Sequence, residues 1–281
     1  MRTRITPKPA HTSKGSCSAG LQPGGYSVTE HYIEFRGVTK AFDDLVVLDN
    51  VSFFADQAET LVILGRSGVG KSVTLKHILG FLKPDAGRVL VAGQDITDWN
   101  ENQLADIRRR VTMVFQSGAL FDSLTVAENV AFPMLNRGDL EPDQIEARVS
   151  ELLEMLEVAE FAAQLPAELS TGTKRAVAIA RALAQEPEAI LYDEPTTMVD
   201  PLMAAHVGDL IRKLKEKLRR TSIVVTHDTH LAKKLADRLV FLHEGRVVFF
   251  GPWEEFEATR DPFLRNFRLQ DERIPSLDVV L

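Results

Sequence analysis

The chain has 281 residues, enough for one large domain or two small ones, and its 33 Lys and Arg against 40 Asp and Glu give a formal charge of −7. Hydrophobic residues make up 44% and charged residues 26%, which supports a sizeable core and excludes a mostly disordered, collagen-like or disulfide-rich chain. Net acidity removes any global electrostatic case for nucleic-acid binding, one cysteine excludes an intrachain disulfide or a cysteine zinc site, and no apolar run approaches the roughly 18–20 residues that span a bilayer.

Residues 1–30 carry Arg2, Arg4, Lys8 and Lys14 against a single acid, Glu30, with Pro, Ser, Thr and Gly between them. They read as a disordered basic tail, with an organelle transit peptide or a misassigned start codon as alternatives. No apolar segment marks a secretory signal, and Cys17 reads as a free thiol. Ordered sequence begins near His31, where Ile33 and Phe35 alternate with Tyr32, Glu34 and Arg36 as in a strand. Val46-Val47-Leu48 and Val51-Ser52-Phe53 suggest a second strand region, and Leu61-Val62-Ile63-Leu64 a strand buried in a central sheet.

Beyond this the pattern turns helical. Ile145, Val149, Leu152, Leu153 and Leu156 fall at helical spacing behind Pro142, which is placed like a first-turn proline. A long helix is expected after Ser170, then a strand at residues 189–192. Residues 203–219 read as an amphipathic helix with a basic end, an exposed face rather than an anion site. Ile223-Val224-Val225 reads as another strand, and Glu244-Gly245 as the turn of a hairpin. Alternating strands and helices predict an α/β chain with a mainly parallel sheet.

Chemistry concentrates at Gly65-Arg66-Ser67-Gly68-Val69-Gly70-Lys71-Ser72, with Val73 next, which fits the phosphate-loop pattern G-x-x-x-x-G-K-[ST] between a strand and a helix. Glycines let the backbone wrap phosphates, and the amides and helix N-terminus face the anion. Lys71 is expected on the β- and γ-phosphates of ATP, and Ser72 on Mg²⁺. Asp193 and Glu194 close the strand at 189–192, the first placed to hold the metal and the second to polarise water. A helix-capping role for these acids is the plain alternative.

Further residues narrow the class. Leu169-Ser170-Thr171-Gly172-Thr173, followed by Ala178-Ile179-Ala180-Arg181-Ala182-Leu183, resembles the L-S-G-G-Q signature of ABC ATPases. Gln116 resembles that family's Q-loop, Val199-Asp200-Pro201 its D-loop, and Thr226-His227-Asp228 its switch-histidine loop. Phe42 sits where the family stacks a ring on adenine, with core packing as the plain alternative. In isolation His227 can be a strand-end histidine, and with His230 it gives no third metal ligand.

The resemblance implies a P-loop NTPase with a RecA-like parallel sheet core, an antiparallel β subdomain and an inserted helical subdomain. It implies one ATPase domain at 31–250, with the helical part at about 119–165, then a C-terminal helix and extension at 251–281. It also implies two ATP molecules sandwiched between head-to-tail copies, with Ser170, Gly172 and Asp200 facing the partner's nucleotide. Gln116 then touches Mg²⁺ or water and His227 the γ-phosphate. The signature departs at Thr171 and Thr173, and Thr197-Met198-Val199-Asp200 stands where S-A-L-D is common. A β-branched residue at 171 is strained if that position needs φ > 0, and mild otherwise.

Residues 115–126 (FQSGALFDSLTV), Glu128-Asn129-Val130, Phe132-Pro133 and Asp261-Pro262-Phe263 are similar to the Mla/Mce-type ATPases of bacterial lipid traffic. That implies phospholipid transport through a polytopic membrane subunit, an Mce-domain protein and a small regulatory subunit as further partners, and a peripheral place on the cytoplasmic face of the inner membrane. The ATPase of a small-solute importer and a non-transport cofactor-assembly ATPase are the alternatives. Phe263, Leu264 and Phe267 fit either a partner surface or core packing.

Overall fold

The computed structural model describes residues 31–272. The expected basic tail with Cys17, and the extension beyond residue 272, lie outside the described residues.

Two sheets form the frame. The antiparallel one has the order β2-β1-β4-β5, from β1 (Ile33–Phe42), β2 (Leu45–Ala55), β4 (Ala86–Val91) and β5 (Gln94–Asp95). The other has the order β10-β9-β3-β8-β7-β6. Its strands β3 (Thr60–Leu64), β6 (Val111–Val114), β7 (Ala189–Asp193), β8 (Thr221–Thr226) and β9 (Arg238–His243) pair in parallel. Strand β10 (Arg246–Pro252) closes the edge as an antiparallel hairpin with β9.

The phosphate-loop strand β3 lies between β8 and β9, and every residue of β3, β7 and β8 is buried. Burial on both faces explains their unbroken apolar runs. Alternation sorts the side chains. Leu61, Ile63, Leu191, Ile223 and Val225 join the core shared with β1, β2 and α1 (Lys71–Ile78). Val62, Leu64, Tyr192 and Val224 join the core on the opposite face.

Local chemistry sets the helix ends. Asn100 and Gln103 form a capping box for α2 (Glu101–Arg110), and Thr125 and Glu128 one for α3 (Val126–Arg137). α3 ends at Gly138 with φ 69. Pro142 opens α4 (Pro142–Met155), which buries Ile145, Val149, Leu152 and Leu153. Ser170 caps α5 (Thr171–Leu183), Asp200 caps α6 (Pro201–Leu218), and Asp228 caps α7 (Thr229–Leu235).

Some details differ from the sequence reading. Helix α6 spans Pro201–Leu218 rather than 203–219, because Arg219 turns left-handed at φ 48 and stops it. Part of its basic end is tied within the chain: Arg212 pairs with Glu216, Lys213 with Glu157 and Lys215 with Asp237. The C-terminal region holds two helices, α8 (Trp253–Ala258) and α9 (Pro262–Glu272). Leu264 is buried and Phe267 packs against the same core, both Phe263 and Phe267 meeting the Phe241 ring edge-on, while Phe263 stays 39% exposed. Among the described residues no helix is long and apolar enough to cross a membrane.

Candidate nucleotide site

The chain leaves the C-terminal end of β3 as a glycine loop and enters α1 at Lys71. Gly70 holds φ 104, and a Cβ there would lie 2.8–2.9 Å from Leu48 Cδ2 and the Val47 carbonyl. A Cβ on Gly65 would lie 2.4 Å from the Leu242 carbonyl on β9. Both positions therefore demand glycine, one for conformation and closeness and the other for closeness alone.

Lys71 is 5% exposed. Its Nζ donates to the carbonyls of Gly65 (2.8 Å) and Arg66 (3.0 Å) and pairs with Glu194 Oε1 at 3.0 Å. Ser72 Oγ donates to Asp193 Oδ1 at 2.8 Å, which joins the first turn of α1 to the end of β7. Glu194 follows in the left-handed region at φ 47, with its amide on the Val225 carbonyl. Its Oε2 accepts the Thr197 hydroxyl at 3.0 Å and lies 2.9 Å from His227 Nδ1.

Burial is the largest influence on Asp193, and it raises that carboxyl above its usual range against the Ser72 hydrogen bond. Burial also pushes Glu194 upward, but the His227 hydrogen bond and the Lys71 charge outweigh it and leave the carboxyl below its ordinary value. His227 is raised, chiefly by its hydrogen bond to Glu194. Two adjacent carboxylates are thus driven apart, one toward its neutral form and one toward its anion.

A cavity of about 380 Å³ brings together Phe42, Ser67, Gly68, Gly70, Lys71, Ser72, Val73, Gln116, Glu194 and His227. The Phe42 ring is 41% exposed with Lys40 Nζ 5.5 Å from its centroid, so Phe42 is not a core residue. Gly65 and Arg66 contribute carbonyls to Lys71 from behind the loop. Val69 is half-buried and packs on the core shared with the antiparallel sheet. Ser170, Gly172 and Asp200 do not line this cavity. Ser170 Oγ and Asp200 Oδ1 accept backbone amides as helix caps, and Met203 packs against Gly172. Among the described residues no group of three or more His, Cys, Asp and Glu side chains is placed to hold a metal ion.

The family profile described as "ABC transporter" matches residues 48–197. The chain belongs to the ABC transporter family. Among relatives of this ATPase cassette is the methionine import ATP-binding protein MetN of Brucella abortus (strain 2308), 36% identical over 235 residues. That match covers 83% of this chain and 63% of MetN, so the chain spans less than two thirds of that relative. The probable ribonucleotide transport ATP-binding protein mkl of Mycobacterium leprae (strain TN) is 34% identical, over 84% of this chain and 68% of mkl. The solved dimer of the ATP-binding cassette MJ0796 with ADP and Pi, a post-hydrolysis state, matches with a TM-score of 0.72 and 34% identity, over 78% of this chain and 98% of that one. CbiO1 of Clostridium perfringens, part of the ABC transporter complex cbiONQ, matches with a TM-score of 0.76 and 29% identity, over 87% and 97%.

The altered signature of this ABC cassette has a simple geometry. Thr171 is the first residue of α5 and has no positive φ, so threonine is unstrained there. Thr173 is buried, and its hydroxyl lies 2.8 Å from Ser170 Oγ. Several contributors were not evident from the sequence. Thr197 and Val47 line the cavity, and only the closeness of Thr197 to the acid pair hinted at its role. Asn129 is fully buried, accepts the Phe121 amide and donates to the Phe121, Leu124 and Thr125 carbonyls, pinning the loop between Gln116 and α3.

Proposed function

We propose that the chain is the ATP-hydrolysing subunit of an ABC transporter that moves lipid, phospholipid above all, across the bacterial envelope through a separate membrane subunit. The observation that carries the ATPase reading is the convergence of Lys71, Thr197 and His227 on one buried, anionic Glu194, beside the Ser72–Asp193 pair.

The residues present fit MgATP. Glycines at 65, 68 and 70 leave a cradle that side chains would fill or distort, and Lys71 stands at its base. Ser72, Asp193 and Gln116 offer the oxygen donors that Mg²⁺ favours. Bound Mg²⁺ supplies charge neutralisation at the β- and γ-phosphates. Glu194, held anionic, polarises the attacking water and accepts its proton as the water oxygen bonds to the γ-phosphorus and the bond to ADP breaks. His227 orients that carboxylate and reaches the γ-phosphate. Phe42 offers its exposed ring to adenine.

Ser170, Gly172 and Asp200 act on the nucleotide of a second copy, a division of labour supported by their position away from the cavity and by the exposed N-terminus of α5. Next to Gln116 a groove of about 750 Å³, lined by Phe81, Phe121, Arg108, Arg137 and Arg181, suits a segment of the membrane subunit. The domain limits 31–250 and 119–165 and a peripheral place on the cytoplasmic side of the inner membrane belong to the same reading. Further partners under it are an Mce-domain protein and a small regulatory subunit.

The lipid assignment rests on the wording of residues 115–126. A second reading, the ATPase of a small-solute importer, is favoured by the 36% identity to a methionine import protein. Pull-down of the full chain from native membranes tests both. A polytopic subunit with an Mce-domain protein and phospholipid supports lipid transport. A periplasmic amino-acid-binding protein supports the second reading, and capture of no membrane protein contradicts both.

A further inference from the structure

Helix α5 carries two arginines that make no ion pair among the described residues. Arg175 is 3% exposed. Its Nη1 donates to the Phe115 carbonyl at 3.0 Å, directly before Gln116, and its Nη2 to the Thr197 carbonyl at 3.4 Å, three residues after Glu194. Arg181 donates to the Gly118 carbonyl at 3.2 Å and the Ala119 carbonyl at 2.9 Å, two and three residues beyond Gln116, and lies 5.5 Å from the Phe121 ring. Gly118 and Ala119 are both left-handed, at φ 78 and 46, so the loop reverses where Arg181 holds it.

Arg175 is buried with no carboxylate in direct contact, Asp193 acting on it only at longer range, and such a guanidinium is costly and is kept only where carbonyls or function compensate. Arg175 is also incompletely satisfied, because its Nε is buried without a partner. Burial lowers the pKa of both guanidinium groups. What distinguishes this arrangement is its targets: one side chain bridges the loop of Gln116 and the loop of Glu194.

We propose that Arg175 is a positioning residue for hydrolysis, tying the Gln116 loop and the Glu194 loop to the helix that begins at Ser170, with Arg181 as the second anchor on the Gln116 loop. A displacement of α5, or of whatever docks beside Gln116, is then transmitted to the water-activating carboxylate. This rests on the reading of Glu194 as the base and Gln116 as a site residue, and the planar two-armed guanidinium is what lets one side chain serve both loops.

Two measurements on the full chain test it separately from that reading. In the first, hydrogen–deuterium exchange compares wild type with Arg175→Met. Amides at 115–119 and 194–199 are expected to exchange faster together, by about tenfold, while β3 and α1 stay unchanged. Acceleration confined to α5, or uniform over the chain, overturns the proposal. In the second, kcat is expected to fall about 10²-fold while KM for ATP stays within about twofold, as for lost positioning. In a Gln116→Ala background, Arg175→Met is expected to add little further loss, and losses that multiply overturn the coupling. Arg175→Lys keeps the charge but not the fork, so it should show an intermediate kcat, and it carries both tests if Arg175→Met does not fold. A wild type without turnover would remove the proposed function, while the exchange measurement would still decide the clamp.

Discussion

Lys71→Met removes the cation at the base of the phosphate loop while keeping most of the stem's volume. The wild-type Nζ serves three oxygens, two carbonyls at 2.8 and 3.0 Å and Glu194 Oε1 at 3.0 Å, from a side chain that is 5% exposed. Methionine leaves all three without that donor. Glu194 keeps the Thr197 hydroxyl and His227 on its other oxygen. Breaking a buried pair costs about 3–5 kcal/mol, and these surviving partners offset part of it, so the expected loss in nucleotide-free protein is about 2–3 kcal/mol. The assay is urea denaturation followed by Trp99 and Trp253 fluorescence, repeated for Glu194→Gln and the double variant. Because the two side chains are mutual partners, the double variant should lose less than the sum of the singles. A Lys71→Met loss under about 0.5 kcal/mol, with additive singles, refutes the pairing.

Asn129→Ala removes, from a fully buried side chain, the acceptor of the Phe121 amide and the two N–H donors shared among the Phe121, Leu124 and Thr125 carbonyls, so the urea midpoint should report a loss of about 2–4 kcal/mol. The Glu194–His227 pair gives a pH signature. His227 is raised in the folded state, so its contribution is full below 6.5 and fades as pH rises through the raised value. Glu194 is lowered, so its contribution is full above 4.5 and fades as pH falls through the lowered value. The difference in melting temperature between wild type and His227→Ala should therefore peak between 4.5 and 6.5 and shrink at alkaline pH. A difference that grows above neutrality contradicts the assignment. Thr171→Gly should change kcat by less than about twofold, since the native backbone there is helical. A gain approaching tenfold would mean that threonine obstructs the signature.

The readable part of this molecule is what is contiguous. Residues 65–72 show their chemistry because the glycines, the lysine and the serine must follow one another. The buried strands β3, β7 and β8 show as unbroken apolar runs because both their faces are covered. Arg175 escaped notice because its partners lie 60 and 22 residues away and no pattern within α5 points to them. Tyr32 reads only as one member of a strand alternation, yet its hydroxyl donates to Glu188, 156 residues on, within a pair to Arg110. Phe263 and Phe267 were ambiguous because helical spacing does not say which surface the stripe meets, and that surface is Phe241 on β9. The strain at Thr171 turned on a single backbone dihedral, which residue type does not determine.

In the proposed mechanism Glu194 activates the water that cleaves ATP. Phosphate release by the full chain, alone and with its membrane subunit, should fall by about 10²–10⁴-fold in Glu194→Gln. ATP-dependent dimerisation by sedimentation should persist or strengthen in the same variant. Phosphate release equal to wild type would contradict the account, because the pairing of Glu194 with Lys71 and His227 would then serve only the fold.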